Sequence, residues 1–150
     1  MRKKEELIQR TLSRMQKYCA REDRSVQKIR EKLYEIEDLS QDEKDKIIEQ
    51  LLEDQFLDDA RFASTFVRSK INQNKWGYEK IKQGLLRHNI SDSLLDHSLS
   101  QMDQKQYQHN LSHLLMMKQK QTDDFEKLVR FLLQKGYRYG EILDAYKKIS

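Results

Sequence analysis

Ser25-Val26-Gln27-Lys28-Ile29, Gly77-Tyr78-Glu79-Lys80-Ile81 and Asp124-Phe125-Glu126-Lys127-Leu128 are three versions of one short pattern. Each opens on a residue suited to a helix N-cap, through a side-chain oxygen or through small size. Each gains another apolar residue one helical turn on, at Leu33, Leu85 and Leu132. The aligned stops are Asp38, Asn89 and Gly136, the residue types that best tolerate left-handed backbone at a helix end. A hydrophobic residue follows each stop: Leu39, Ile90 and Tyr137. Starts, stripes and stops agree in three places, so the chain reads as tandem copies of a small helical unit.

Working outward from these segments, apolar residues at helical spacing form nine stripes. They are Ile8, Leu12, Met15 and Cys19; Val26, Ile29 and Leu33; Ile47, Ile48, Leu51 and Leu52. Next come Phe62, Phe66, Val67 and Ile71; Tyr78, Ile81, Leu85 and Leu86; Leu94, Leu95 and Leu99. The last three are Leu111, Leu114 and Leu115; Phe125, Leu128, Val129, Leu132 and Leu133; Ile142, Leu143, Tyr146 and Ile149. Most of these helices are too short to persist alone, so packing of the stripes must hold them. The fold class is all-α, with three tandem three-helix repeats over residues 1–57, 58–103 and 104–150. Stacked repeats of this kind give an elongated array.

Composition agrees. Hydrophobic residues are 37% and charged residues 36% of 150, with no Pro and only four Gly. A β-sandwich or barrel needs many Gly- and Pro-bearing turns, which are not there. No apolar run approaches the roughly 18 residues of a membrane span, and the opening MRKKEELIQR lacks the apolar stretch of a signal peptide. The single Cys19 has no partner for an internal disulfide. These features place the chain as a soluble, cytoplasmic helical protein, a monomer.

Net charge is +4 but unevenly spread. Residues 1–34 carry eleven Lys/Arg against five acids, residues 37–59 ten acids against two Lys, and residues 61–90 seven basic residues against Glu79 alone. Such blocks steer charged partners more than they stabilise a fold. In the third block Arg68, Lys70, Lys75, Lys80, Lys82 and Arg87 are interleaved with aromatic residues, a pairing suited to phosphate contact or to an acidic protein surface. Phe62, Phe66, Ile71, Ile81 and Leu85 already occupy the core stripes, so the six basic heads should point to solvent. Phe62, Phe66 and Tyr78 should be buried, and Trp76, at a helix junction, is open to either state. The third repeat extends the basic character, with nine basic residues against five acids from Lys105 on.

Leu57-Asp58-Asp59-Ala60-Arg61-Phe62-Ala63 marks the entry to the second repeat. Asp58 suits the N-cap and Asp59 the first turn, where both carboxylates meet the positive end of the helix dipole. Arg61 is placed to reach a carboxylate of the preceding acidic helix. Adjacent carboxylates on a helix diverge and no nucleophile stands near them, so capping is preferred to acid–base catalysis. His109 and His113 are one turn apart, but no Glu follows in the metalloprotease pattern, and they read as exposed histidines. His88 and His97 add no metal spacing. Cys19 lies on an apolar stripe as a small buried thiol. No phosphate loop or nucleophile elbow is present, so no enzyme, cofactor or metal is expected.

From Leu57 to Arg68 the chain resembles the RecX family of RecA regulators. Ala20-Arg21-Glu22-Asp23-Arg24-Ser25, with Ile29 and Lys32-Leu33, is similar to that family's opening arginine–serine segment. Trp76-Gly77 through Ile90-Ser91 resembles its central glycine-led helix, and Phe131-Leu132-Leu133-Gln134-Lys135-Gly136-Tyr137 with Ile142 its C-terminal signature. Two positions depart: Gln55, where the family often has a small residue, and Gly84, where a helix former is usual. The resemblance implies a curved array lodged in the groove of the RecA–DNA filament, restraining ATP hydrolysis, strand exchange and coprotease activity. It thereby implies a role in recombination, DNA repair and the SOS response. It implies no catalytic residues. The partner expected is the RecA filament, with single- or double-stranded DNA as a further one. The competing reading is a helical-repeat DNA-binding protein acting without RecA, and a third is an adaptor whose basic face meets an acidic protein. Salt dependence of DNA binding without RecA separates the first two.

Overall fold

In the computed structural model, which describes residues 2–149, the chain is all-helical, with no strand among the described residues. The helices are α1 (Arg2–Arg21), α2 (Val26–Tyr34), α3 (Gln41–Glu53), α4 (Asp59–Asn72), α5 (Tyr78–Arg87), α6 (Asp92–Ser100), α7 (Gln104–Gln119), α8 (Phe125–Gln134) and α9 (Tyr139–Ile149). Each apolar stripe falls on one of them, in order, as a helical repeat array requires. The outermost ends of the first and third repeats, Met1 and Ser150, lie outside the described residues. The chain forms two compact units, one running to Ala63 and the other from Ser64.

The first unit is built on Met15, Cys19, Ile29, Leu33, Leu39, Ile47, Ile48, Leu51 and Leu57. Ile29, Leu33 and Leu51 are fully buried. Removing each such side chain from water stabilises the fold by about 1.5–3 kcal/mol, which short helices need in order to persist. Local signals set the helix starts. Ser25 Oγ accepts the Lys28 N–H at 3.0 Å and opens α2. Ser40 and Glu43 exchange hydrogen bonds in a capping box that opens α3.

The end of α2 departs from the expected repeat. Asp38 is not left-handed; among the described residues the non-glycine ones with positive φ are Gln55, Lys75 and Asn89. Leu39 lies ten residues after Ile29, whereas Ile90 and Tyr137 lie nine after Ile81 and Leu128. The extra residue lets the chain leave α2 by a looser turn, with the Ile36 N–H on the Leu33 carbonyl at 3.0 Å, while Leu39 still reaches the core. The left-handed residue appears instead after α3, at Gln55 with φ 63°. There the Phe56 N–H returns to the Leu51 carbonyl at 2.9 Å, the closing bond of a Schellman motif. A small residue at this position would avoid the Cβ strain that Gln55 carries.

The acidic pair at the entry to α4 completes this unit. Asp58 caps α4, its carboxylate accepting the N–H groups of Ala60 and Arg61 at 3.0 and 3.1 Å. Asp59 does more than favour the dipole: its Oδ1 accepts the N–H of Val26, the first residue of α2, at 2.9 Å. Arg61 does not pair with the acidic helix α3. Its Nε donates to Asp23 at 2.8 Å, and its Nη2 donates to the carbonyls of Gln55 and Phe56 at 3.2 and 3.3 Å. Carbonyls just past the end of α3 attract a cation, and this fork of donors serves them and the Asp23 carboxylate together. Phe62 is buried, as expected.

In the second unit, α5 and α8 end alike. Asn89 and Gly136 are both left-handed, and the Ile90 and Tyr137 N–H groups return to Leu85 and Leu132 at 3.2 and 3.1 Å. The start of α5 shows why Gly77 suits its N-cap. The Gly77 N–H donates to the Lys135 carbonyl at 2.7 Å and the Glu79 N–H to the Gly136 carbonyl at 3.0 Å. The otherwise unpaired first N–H groups of α5 are thus satisfied by the chain leaving α8. A Cβ on Gly77 would stand 2.3 Å from Gly136 C and Tyr137 N. Gly84, which reads as a mid-helix weakness, also has a packing reason: a Cβ there would come within 2.5 Å of the Phe66 ring.

Polar struts reinforce the same junction. Tyr107 Oη accepts the Tyr78 N–H at 3.0 Å and donates to Glu141 Oε2 at 2.6 Å. Tyr137 Oη donates to the Lys75 carbonyl at 2.8 Å, and Asn110 Nδ2 to the Ile71 carbonyl at 2.8 Å. Burial raises the pKa of both tyrosines, so they act as neutral donors. Four stripe residues differ from expectation: Leu52, Leu86, Leu133 and Ile149 are exposed, each at the margin of its stripe.

Candidate functional site

The six basic residues singled out in the sequence lie on the second half of α4, on α5 and on the turn between them. Arg68, Lys80 and Arg87 are exposed; Lys70, Lys75 and Lys82 are half-buried rather than fully solvent-directed. For Lys70 the reason is an aromatic cluster. Its Nζ lies 4.7 Å from the Trp76 ring centroid and 5.3 Å from that of Phe66. Lys80 Nζ also lies 4.7 Å from the Trp76 ring. Each such contact is worth about 0.5–1 kcal/mol where water reaches it. Lys75 occupies the left-handed turn after α4, with φ 54°, and its carbonyl is held by Tyr137.

Trp76, whose state the sequence leaves open, is half-buried and meets Phe66 edge-on at 6.3 Å. Phe66 in turn meets His88 at 5.9 Å. Phe66 and Tyr78 are themselves half-buried rather than buried. The aromatic residues therefore gather the lysine stems, and Trp76 is occupied by ammonium groups rather than offered to a base.

None of the six has a carboxylate within ion-pair distance among the described residues. Glu79, the acid within residues 61–90, is taken by Arg138 at 2.8 Å, whose guanidinium also lies 4.0 Å over the Tyr78 ring. An acid that could have neutralised the lysines is spent on a third-repeat arginine, which leaves this surface positive. The sequence could show the basic block but not this pairing, because Glu79 and Arg138 are 59 residues apart.

The motif Asp58, Asp59, Arg61 and Phe62 is engaged in capping, ion pairing and core packing, as described above, and not in an open site. Cys19 is buried, and burial pushes its thiol pKa up against the opposing pull of Arg24 and Arg61. His109 and His113 are exposed, their rings stacked 6.3 Å apart. Among the described residues no group of three His, Cys, Asp or Glu is placed to hold a metal ion. No described helix is long and apolar enough to cross a membrane.

A family model for the second three-helix domain of RecX matches residues 58–99, the stretch that holds Asp58, Asp59, Arg61, Phe62 and all six basic residues. "Regulatory protein RecX" of Clostridium acetobutylicum is 32% identical over 115 residues, covering 70% of this chain and 53% of that protein. "Regulatory protein RecX" of Clostridium botulinum strain Eklund 17B is 32% identical over 133 residues, covering 83% of this chain and 61% of that protein. A crystal structure of regulatory protein RecX superposes with a TM-score of 0.77 at 25% identity, over 91% of this chain and 71% of the other. The chain belongs to the RecX family. A second structure, RecX from Lactobacillus salivarius, shares the fold with a TM-score of 0.80 at 22% identity, over 94% and 95% of the two chains. This RecX-family chain spans about half to three-fifths of the length of those two clostridial relatives.

Proposed function

We propose that this RecX-family chain binds the RecA–DNA filament and inhibits RecA ATP hydrolysis, strand exchange and coprotease activity without chemistry of its own. It does so as a cytoplasmic monomer of three repeats, 1–57, 58–103 and 104–150. The observation that supports this most is the second-repeat surface, where six basic residues have no carboxylate partner among the described residues and their one acidic neighbour is already paired. A filament of protein and DNA offers the negative charge such a surface attracts, and steering of this kind speeds association. The contact residues are Arg68, Lys70, Lys75, Lys80, Lys82 and Arg87, with the exposed Arg68, Lys80 and Arg87 leading.

The test is a titration into RecA hydrolysing ATP on single-stranded DNA. Equimolar protein should lower the rate, and the protein alone should release no phosphate. Arg68→Glu with Lys80→Glu and Arg87→Glu should keep helix content and weaken inhibition, and the deficit should narrow as salt rises. A RecA rate unmoved across the full titration removes the proposal. A folded triple variant that inhibits like the parent moves the contact surface to another repeat.

A further inference from the structure

The first unit carries a separate basic concentration, on α1. Arg10, Arg14, Lys17 and Arg21 recur at steps of four, three and four, two residues out of phase with Ile8, Leu12, Met15 and Cys19. Two residues correspond to about 200° around a helix, so the basic row runs opposite the apolar one. Arg14, Met15, Lys17, Tyr18 and Arg21 of α1, with Lys32 of α2, line a cleft of about 260 Å³.

The charges in this cleft are not balanced. Arg14, Lys17, Arg21 and Lys32 have no carboxylate within ion-pair distance among the described residues. Glu22, next to the cleft in sequence, is held by Arg24 at 2.6 Å. Arg24 is itself anchored to the Tyr18 carbonyl at 3.1 Å, and its guanidinium lies 3.8 Å from the Tyr18 ring centroid. Lys32 Nζ lies 5.0 Å from the same ring. Cations therefore occupy the tyrosine, and it is not presented for stacking on a base.

A lone carboxylate or a single phosphorylated side chain would satisfy one of these cations. The row continues along α1 for about 16 Å, at 1.5 Å per residue, and suits a polyanion with charges repeated along a line. We propose that this cleft binds the phosphodiester backbone of DNA, without reading base sequence. The contact is direct and does not depend on RecA, so it stands or falls apart from the filament reading.

Fluorescence anisotropy of the full chain with labelled, mixed-sequence DNA, without RecA and across roughly 50–200 mM salt, tests it. The parent should bind sequences alike, with log affinity falling linearly in log salt. Each phosphate contact contributes about 0.7–0.9 to that slope. Arg14→Gln with Lys17→Gln and Arg21→Gln should therefore flatten it by about 2–3 units and weaken low-salt binding at least tenfold, with the melting curve unchanged. Single Lys17→Gln, expected to remove about one unit, serves if the triple variant does not fold. Arg68→Gln with Lys80→Gln and Arg87→Gln should keep the parental slope, whatever it does to RecA. The proposal is overturned if the parent binds no DNA, or if the folded α1 variants keep the parental slope. It is equally overturned if the loss is confined to the second-repeat variant, or if polyglutamate of equal charge displaces DNA as well as unlabelled DNA does, since that marks an acidic-protein site.

Discussion

Gly77→Ala tests the junction between the second and third repeats most sharply. The added Cβ would stand 2.3 Å from Gly136 C and Tyr137 N and 2.5 Å from the Gly136 carbonyl oxygen. Carbon atoms pack at about 3.5–4.0 Å, so the two strands of backbone must part by more than about 1 Å. That separation opens the 2.7 Å bond from Gly77 N–H to Lys135 and the 3.0 Å bond from Glu79 N–H to Gly136. Overpacking costs about 1–3 kcal/mol and each lost hydrogen bond about 0.5–1.5 kcal/mol, a total of about 2–6 kcal/mol. For a chain of this length each kcal/mol lowers Tm by about 2–4 °C, so a thermal melt should drop by at least about 4 °C. Amide exchange should speed up at Glu79. Gly140→Ala is the control, since nothing lies within 4 Å of a Cβ there, and its melt should hold or rise. A Gly77→Ala protein that melts with the parent and keeps slow exchange at Glu79 would refute the reasoning.

Other outcomes follow from single residues. Asp58→Ala removes the cap on Ala60 and Arg61 and should cost about 0.5–2 kcal/mol in denaturant titrations, while the proposed inhibition of RecA should be retained by the folded fraction. Gln55→Gly should raise stability by about 1 kcal/mol in the same titration, because glycine relieves the left-handed strain; a loss would show the side chain is worth more than its strain. The Tyr107 hydroxyl, whose pKa burial raises above the usual 10.0, contributes stability that is fully present below pH 10.0 and fades as pH rises beyond it, since the unfolded chain ionises first. Melts followed above that pH should fall less steeply for Tyr107→Phe than for the parent, although the variant starts lower through loss of its bonds to Tyr78 and Glu141.

Much of the fold was legible because helical repeats write themselves twice, in period and in punctuation. Ser25, Gly77 and Asp124 begin helices as read, and Asn89 and Gly136 end them as read. Asp38 failed because matching residue types across repeats ignored a one-residue difference in length, which changes the turn. Leu52, Leu86, Leu133 and Ile149 failed because period identifies a stripe but not its width. The roles of Asp59, Arg61 and Gly84 were illegible for another reason. Val26 and Asp23 lie 33 and 38 residues from their partners, and the Phe66 ring that needs Gly84 sits on a different helix. The basic residues of the candidate site were readable as a block. Their aromatic neighbours and the diversion of Glu79 were not, since both depend on packing.

The carboxylate of Asp59 on the N–H of Val26 has a consequence for how the chain is made. A ribosome releases α1, α2 and α3 before any of α4, so those three helices emerge with the first turn of α2 still lacking this acceptor and with Asp23 still lacking Arg61. The first repeat is finished only when the opening turn of the second has been synthesised. A fragment cut at the apparent repeat boundary would be the wrong size to fold well, and one extended a few residues, to Ala63, would carry its own fastening. Repeats of this kind are copied as modules in sequence, yet the first is closed by residues that belong to the second.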